Sequence, residues 1–193
     1  MWTDPAKHCP LCSTRLNPAT VGGRKRPYCA ACGFVLYRNP ACAAAGVVLN
    51  ARGEVLLVKR AIEPFRGCWA LPAGYQEIDE DPSTTIVREV LEEAGIEIEV
   101  QGLLDLLFVA DDPRKPANVA VFLCLAREGA PRPGPEESDA RWFALDQLPA
   151  EIGFGNYERI LGRLRRSDSY PESPWTYLRR WSERSQAPPP SAP

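Results

Sequence analysis

Three glutamates at helical spacing are the residues of this chain best suited to chemistry. Glu89, Glu92 and Glu93 would share one side of a helix, because each residue advances the helix by about 100°. Like charges three or four residues apart repel by about 0.2–0.5 kcal/mol. Mg²⁺ prefers oxygen ligands and binds carboxylates together with substrate phosphates, so a hard cation would turn this repulsion into binding. The alternative interpretation is an acidic helix face in contact with water.

The residues around the glutamates predict both ends of that helix. Asp81 precedes Pro82, and this pair is typical of an N-cap followed by the first helical residue. Gly95 is a typical helix stop. The other side of the helix is apolar and is expected to pack against the protein; it consists of Ile86, Val87, Val90, Leu91 and Ala94.

The glutamates belong to a longer pattern, G-x5-E-x7-R-E-V-x-E-E-x-G-I, which is complete between Gly74 and Ile96. This pattern resembles the signature of the Nudix hydrolase family. The matching positions are Gly74, Glu80, Arg88, Glu89, Val90, Glu92, Glu93, Gly95 and Ile96. The resemblance implies an enzyme that hydrolyses a nucleoside diphosphate linked to another group. Its metal ions would neutralise phosphate charge and activate the attacking water.

The resemblance also implies which residues hold the metal. Glu89, Glu92 and Glu93 would bind one to three ions, Mg²⁺ or Mn²⁺, together with the main-chain carbonyl of Ala73. Glu77 lies in the loop where many family members keep a glutamate, and we include it in the site.

Two further residues of the pattern, Arg88 and Glu80, would be structural partners of each other. The chain departs from the commonest form of the family at Ala73, where glycine is frequent, and at Thr85, where alanine is frequent. Neither departure removes a carboxylate, so we expect catalysis to be intact.

Substrate contacts are expected just before the helix and in two later loops. We place Trp69, Gly74 and Tyr75 against the substrate; Trp69, Tyr75 and Phe154 could stack on adenine or flavin, although buried packing would explain these aromatic residues equally well. From the proline-rich loop that contains Glu136 and Glu137, many relatives bring a further carboxylate to the metals. We choose Glu136, and the alternative is a flexible acidic loop.

Four cysteines near the amino end predict a second metal site. Cys9, Cys12, Cys29 and Cys32 form two C-x2-C pairs, the arrangement of a structural four-thiolate Zn²⁺ site. Disulfides or a redox pair are the alternatives, and His8 beside Cys9 could replace one ligand. Gly33 suits the tight turn after the second pair.

The remaining cysteines are Cys42, Cys68 and Cys124. They lie in apolar surroundings, and we expect them to be buried free thiols of a reducing cytoplasm. The sequence shows neither a signal peptide nor a long apolar span, so we expect no membrane partner.

Charge is unevenly distributed in this chain of 193 residues with net charge −2. Residues 1–40 carry six basic and one acidic side chain, whereas residues 74–100 carry nine acidic and one basic. The run from Arg24 to Arg26 could bind nucleic acid, but a solvated loop is the simpler interpretation and nucleic acid is an unlikely partner. We interpret Tyr28, Phe34 and Tyr37 as the small core of this unit.

The rest of the chain predicts an α/β fold. Strands are expected over residues 43–49, 55–58, 98–109, 119–125 and 140–145, with a hairpin at 50–53 and a second helix near 156–166. The Nudix resemblance implies an α/β/α sandwich with a mixed sheet. We divide the chain into a zinc ribbon (1–38), a Nudix domain (39–168) and a partly disordered extension (169–193), in which Trp175, Leu178 and Trp181 could line one side of a short helix.

The ribbon and the segments 37–40, 71–75 and 134–136 resemble zinc-ribbon Nudix proteins of the FAD and ADP-ribose pyrophosphatase type. The corresponding reaction releases AMP and a second monophosphate. NADH pyrophosphatases share the ribbon, but their usual Ser-Gln-Pro-Trp-Pro-Phe-Pro run is absent from residues 103–113. A nucleotide-sensing, nucleic-acid-binding regulator and a nucleoside triphosphatase are further alternatives. Enzymes of the ADP-ribose type are often dimers, so a homodimer remains open.

Overall fold

The structure is a computed structural model that describes residues 6–111, 115–155, 160–162 and 164. The elements of this part of the chain are β1 (Asn17–Val21), β2 (Arg24–Tyr28), β3 (Ala41–Leu49), β4 (Val55–Arg60), β5 (Trp69–Ala70), β6 (Ala73–Tyr75), α1 (Pro82–Ala94), β7 (Ile98–Val109), β8 (Ala117–Ala126) and β9 (Glu137–Phe143). The predicted segment 169–193 lies outside the described residues.

Strands β1 and β2 form a hairpin in the amino-terminal unit. Gly22 and Gly23 make its two-residue turn with φ angles of 57° and 75°, as the tight turns of hairpins require. The basic residues Arg24 to Arg26 lie in strand β2, where we expected a loop. Strand formation follows from the turn, which pairs Arg24 directly with Val21.

The core of this unit is small. Cys9, Leu16 and Cys29 are buried, with Phe34 and Leu36 packed against them. Tyr37 is 54% exposed, so our interpretation of this residue as part of the core was wrong. Its ring instead lies beneath the guanidinium of Arg26, 5.0 Å from the ring centroid.

The other strands form one seven-stranded mixed sheet. Strand β3 pairs in parallel with β8 along its whole length, from Ala41 opposite Ala117 to Leu49 opposite Leu125. Every other pairing in this sheet is antiparallel. The predicted strands are confirmed, including the bounds of β7, and the hairpin between β3 and β4 contains Gly53 at a φ of 75°.

Strands β3 and β4 diverge from a single paired position, Leu49 opposite Val55. The segment from Trp69 to Tyr75 fills the gap between them, because β5 pairs with β4 and β6 pairs with β3. The chain then leads from β6 into α1. The segment from Trp69 to Tyr75 therefore holds the residues that lead into α1 between two strands of the sheet.

Each face of the sheet carries its own apolar cluster. Alternate residues of β3 divide between them, since Ala43, Ala45 and Val47 belong to one cluster and Ala44 and Val48 to the other. Helix α1 covers the second face, and helical residues at 160, 161 and 164 cover the first. The predicted α/β/α sandwich with a mixed sheet is confirmed, and the described residues of the predicted second helix are helical.

Helix α1 packs through a narrower strip than we predicted. Ile86, Val90 and Ala94 are fully buried, and Gly46 of β3 allows Ile86 to approach the sheet closely. Val87 and Leu91 are 39% and 52% exposed, so the prediction that they pack was wrong. They lie to one side of the strip that contacts the sheet. Among the described residues, no helix is long and apolar enough to cross a membrane.

Candidate active site

Helix α1 begins and ends where the sequence predicts. The Asp81 carboxylate accepts hydrogen bonds from the main-chain N–H groups of Ser83 and Thr84 at 2.8 and 2.9 Å. Gly95 adopts the left-handed conformation, and its N–H donates to the carbonyl of Leu91. Both caps hold the three glutamates on a helix of defined length.

Arg88 is the centre of an ion-pair network beside the helix. Its Nε and Nη2 donate to the two oxygens of Glu80 at 2.6 and 2.9 Å. Its Nη1 donates to Glu89 at 2.7 Å and to Glu92 at 3.2 Å. The bidentate hydrogen bonds from Arg88 lower the pKa of Glu80 to about 2. Arg88 therefore ties the loop before the helix to two of the three glutamates.

Glu80 is fixed by further donors. Thr85, which is fully buried, donates from its hydroxyl to Glu80 Oε2 at 3.0 Å. The main-chain N–H of Glu77 donates to the same oxygen at 3.2 Å, whereas the Glu77 side chain is exposed. Thr85 thus adds a hydrogen bond that the alanine frequent in the family would lack.

Glu89 and Glu93 lie against strand β6. Glu93 Oε2 accepts from the main-chain N–H of Ala73 at 3.0 Å. A Cβ atom added to Gly74 would lie 2.0 Å from the Glu89 carboxyl carbon. The φ angle of Gly74 is not left-handed, so glycine is required here by the close approach of Glu89 rather than by backbone conformation.

The proline-rich segment before β9 is held against the end of α1. Arg132 and Gly134 donate main-chain hydrogen bonds to the carbonyls of Ala94 and Glu93 at 2.8 and 3.0 Å. Gly134 passes so close to the helix that an added Cβ would lie 2.2 Å from the Glu92 carbonyl oxygen and 2.8 Å from the Glu137 carboxylate. These contacts hold the segment against α1, which argues against our alternative of a flexible acidic loop.

This segment brings Glu137, rather than Glu136, against the helix glutamates. Glu137 is 9% exposed, whereas Glu136 is exposed at the cavity. Burial, and then the charge of Glu137, raise the pKa of Glu93 well above its usual range. Burial and the charge of Glu136 raise the pKa of Glu137. Glu136, our predicted further carboxylate, is the one of the two that lines the cavity, and its role stays a prediction.

The carboxylates of Glu89, Glu93 and Glu137 offer oxygen donors, although among the described residues only the four cysteines bring three or more ligand atoms within 4.8 Å of one another. Burial raises the pKa of Glu89 as well, and burial together with the charges of Glu137 and Glu89 raises the pKa of Glu93, so the half-buried Glu89 and Glu93 and the buried Glu137 repel one another. Oxygen donors of this kind suit Mg²⁺ or Mn²⁺. Glu92 is 57% exposed and contacts Arg88, so it lies at the outer side of the group.

A cavity of about 320 Å³ opens beside these carboxylates. Its lining combines residues of α1, of five strands and of four loops: Ala43, Arg60, Ile62, Glu63, Pro64, Ala73, Gly74, Tyr75, Glu89, Glu93, Val109, Lys115, Ala117, Val119, Glu136 and Phe154. Tyr75 and Phe154 line it as predicted substrate contacts. Trp69 does not: it is 7% exposed and packs edge-on against Phe143, because β5 faces the sheet core.

The four amino-terminal cysteines form a compact sulfur cluster. Their Sγ atoms all lie within 4.8 Å of one another, with contacts of 3.4–3.5 Å between Cys12 and Cys29 and between Cys9 and Cys32. A tetrahedral Zn²⁺ with Zn–S bonds of about 2.3 Å would place its sulfurs about 3.8 Å apart, so the cluster could hold this ion.

The turn after each cysteine pair has the same conformation. Ser13 and Gly33 have φ angles of 59° and 77°, and each donates its N–H to the carbonyl of the first cysteine of the pair. His8 is outside the cluster. Of the other thiols, Cys124 is buried, Cys68 is half-buried and Cys42 is exposed, so the prediction of buried thiols was wrong for Cys42.

A family model described as the NUDIX domain matches residues 40–163, which include α1 and the whole carboxylate group. The chain belongs to the Nudix family. It is 35% identical over 129 residues to a Methanocaldococcus jannaschii protein named ADP-ribose pyrophosphatase, covering 66% of this chain and 75% of that protein.

A second Nudix relative matches a longer stretch. The Stutzerimonas stutzeri protein named NAD-capped RNA hydrolase NudC is 32% identical over 152 residues, or 77% of this chain. The match covers 52% of NudC, so this chain spans about half the length of that relative. A crystal structure of a Nitrosomonas europaea NUDIX hydrolase superposes with a TM-score of 0.78, at 28% identity, over 86% of this chain and 94% of that one.

The sequence did not point to three residues that lie at or next to the cavity. Glu137 was passed over for Glu136, and the cations Arg60 and Lys115, which line the cavity, were not considered. Glu137 is the first residue of β9 and Glu136 precedes the strand, so strand alternation does not decide between the two glutamates. No local signal distinguishes Arg60 or Lys115 from other basic residues.

Proposed function

We propose that this Nudix hydrolase uses Mg²⁺ or Mn²⁺ to cleave the pyrophosphate bond of ADP-ribose or FAD, releasing AMP and a second monophosphate. The observation that carries the proposal is the group of mutually repelling carboxyl groups of Glu89, Glu93 and Glu137, of which Glu89 and Glu93 line the cavity and Glu137 is buried. The relative named ADP-ribose pyrophosphatase supports the choice of substrate.

The residues of the site have distinct tasks in this proposal. Glu89, Glu92 and Glu93 hold the divalent ion, with the Ala73 carbonyl and Glu77 at the edge of the site, and Glu137 joins Glu136 as a further carboxylate. The ion, when bound, neutralises phosphate charge and lowers the pKa of a bound water. The Ala73 N–H orients Glu93, and Arg88 positions Glu89 through their 2.7 Å hydrogen bond.

NADH and related NAD-containing substrates are the second candidate. The relatives named NAD-capped RNA hydrolase favour this alternative. The absence of the Ser-Gln-Pro-Trp-Pro-Phe-Pro run from residues 103–113 argues against it. We therefore place NADH after ADP-ribose and FAD.

A nucleotide-sensing regulator that binds nucleic acid is less well supported. The glutamates of the family pattern are all present, and a sensor would not require them. Binding of an oligonucleotide near physiological salt, weakening steeply as salt rises, would favour the regulator. We propose a Zn²⁺ ion in the cysteine cluster and a location in the reducing cytoplasm, where thiols stay unoxidised.

The test compares four substrates and two matched variants. Purified protein with Mg²⁺ is incubated with ADP-ribose, FAD, NADH and ATP, and the products are separated by chromatography. Glu93→Gln replaces a buried carboxylate, whereas Glu97→Gln replaces one whose side chain is 70% exposed and lies outside the cavity.

We expect AMP to form fastest from ADP-ribose or FAD. Glu93→Gln should lower kcat about 100- to 1,000-fold, because metal stabilisation of the transition state contributes several kcal/mol. Glu97→Gln should behave as wild type. Near-normal turnover by folded Glu93→Gln protein would refute the metal-binding role.

A further inference from the structure

The cavity contains two cation–aromatic pairs beside the carboxylates. Lys115 Nζ lies 3.6 Å from the ring centroid of Tyr75. The Arg60 guanidinium carbon lies 5.6 Å from the ring centroid of Phe154. All four side chains line the same cavity as the helix glutamates.

The two pairs lie on different walls of the cavity. Arg60 ends strand β4, and Tyr75 ends β6, which pairs with Ala43 of β3. Lys115 precedes β8, on the far side of β3. Because strands β3 and β4 diverge here, one pair belongs to the β4 side and the other to the β6–β3–β8 side.

Both members of the β4-side pair are held in place. Arg60 Nε donates to the Pro64 carbonyl at 2.7 Å, and the Phe154 ring packs against Phe65 at 4.6 Å between centroids. A guanidinium fixed in this way loses little side-chain freedom when a ligand binds. The arrangement is therefore preorganised for an anionic group.

The charge balance of the cavity requires cations for an anionic substrate. Among the residues that the structure describes, four carboxylates line it, from Glu63, Glu89, Glu93 and Glu136, together with the side-chain cations Arg60 and Lys115. A cation resting on an aromatic ring offers a positive charge to a phosphate and a flat surface to a base or ring. One such pair would bind one phosphorylated half of a substrate, with the cation at the phosphate and the aromatic ring against the base or ring.

We propose that the Arg60–Phe154 and Lys115–Tyr75 pairs each hold one half of a diphosphate that carries an organic group at both ends. The assignment rests on the proposed function and narrows it, since a nucleoside triphosphate has such a group at one end only. The four residues are specificity determinants, and the pyrophosphate lies between them at the carboxylates.

The experiment measures kcat and KM for ADP-ribose and ATP, and the affinity for AMP by calorimetry. The variants are Tyr75→Ala and Phe154→Ala. The matched controls are Tyr37→Ala and Phe108→Ala. These two residues are 54% and 60% exposed and lie outside the cavity. Arg60→Gln tests the β4-side pair without removing the ring that packs on Phe65, and melting temperatures verify folding.

We expect wild-type protein to prefer ADP-ribose to ATP in kcat/KM. Each cavity variant should raise KM for ADP-ribose by roughly 5- to 150-fold, the range expected for a lost stacking contact, while kcat changes little. AMP fills one half of the site, so one variant should weaken its binding and the other should not.

Three results would overturn the assignment. These are an unchanged KM for ADP-ribose in folded cavity variants, a wild-type preference for ATP, and equal loss of AMP affinity in both variants. If wild-type protein hydrolyses ADP-ribose and the cavity variants have the same kinetics as the control variants, the assignment of the two pairs is wrong and the proposed function stands. If wild type hydrolyses none of the diphosphates, the proposed function is wrong, and AMP binding still tests the two pairs.

Discussion

The cysteine unit and the Nudix domain are stabilised by different means. Among the described residues, the cysteine unit buries only Cys9, Leu16 and Cys29 around its sulfur cluster. The Nudix sheet carries an extensive apolar cluster on each face. One unit presents a closed set of soft sulfur donors, whereas the other has an extensive apolar core and presents hard oxygen donors to an open cavity.

This difference teaches that the two metals would have separable effects. Zinc would contribute mainly to folding, because a unit of about 30 residues cannot bury enough apolar surface to fold alone. Magnesium would contribute mainly to catalysis. Three changes of decreasing size test this separation.

Loss of zinc should have the largest effect. Cys29→Ser removes a buried ligand, and structural zinc contributes roughly 10–16 kcal/mol to the folding of such units. We expect residues 6–36 to lose their structure and become sensitive to protease, while hydrolysis by the Nudix domain continues. Limited proteolysis and an activity assay on the same sample measure both effects.

The control for that experiment is Cys42→Ser, which changes an exposed thiol outside the sulfur cluster. It should leave both regions folded. If Cys29→Ser unfolds the entire chain in one transition, the two regions are not independent and the comparison fails.

Gly74→Ala should affect catalysis and spare the cysteine unit. The new Cβ would lie 2.0 Å from the Glu89 carboxyl carbon, so Glu89 must move. A displacement of about 1 Å at a catalytic group costs on the order of 100-fold in rate. Steady-state kinetics measure the loss, with zinc content as the readout for the cysteine unit.

Gly102→Ala is the matched control, because a Cβ at Gly102 meets no atom within 4 Å. It should retain wild-type kinetics. Wild-type activity in Gly74→Ala as well would show that Glu89 does not need its observed position.

Thr85→Ala should have the smallest effect. The change removes the 3.0 Å hydrogen bond to Glu80, and a net hydrogen bond contributes about 1 kcal/mol. We expect the free energy of unfolding of the Nudix domain to fall by about this amount, with hydrolysis changed less than in Gly74→Ala. Urea unfolding measures it; an unchanged midpoint would mean that Arg88 and the main-chain N–H of Glu77 position Glu80 without Thr85.

Local signals explain what the sequence predicted well. Asp81, Pro82 and Gly95 predict the ends of α1 because caps depend on neighbouring residues, and these ends are confirmed. Strand β7 was predicted with its observed bounds, because residues 98–109 are mostly apolar and contain only single polar residues between them.

Contacts between distant segments explain what the sequence did not predict. Val87 and Leu91 belong to the apolar side of α1, but the sheet covers only the strip of Ile86, Val90 and Ala94. Likewise, Glu136 and Glu137 are adjacent, and the passage of Gly134 over the helix decides which carboxylate is buried. Neither helix periodicity nor residue type predicts which apolar residues of α1 the sheet covers or which of the two glutamates is buried.

The hydrogen bonds from Arg132 and Gly134 to the last carbonyls of α1 have a consequence for permitted changes in chain length. An inserted residue between 132 and 137 would shift the register of this segment against the helix and turn Glu137 away from Glu93. Insertions between 127 and 131 precede both hydrogen bonds and would leave that register unchanged. In the connection between β8 and β9, residues 127–131 therefore tolerate insertions, whereas the length of 132–137 is set by the contacts with α1.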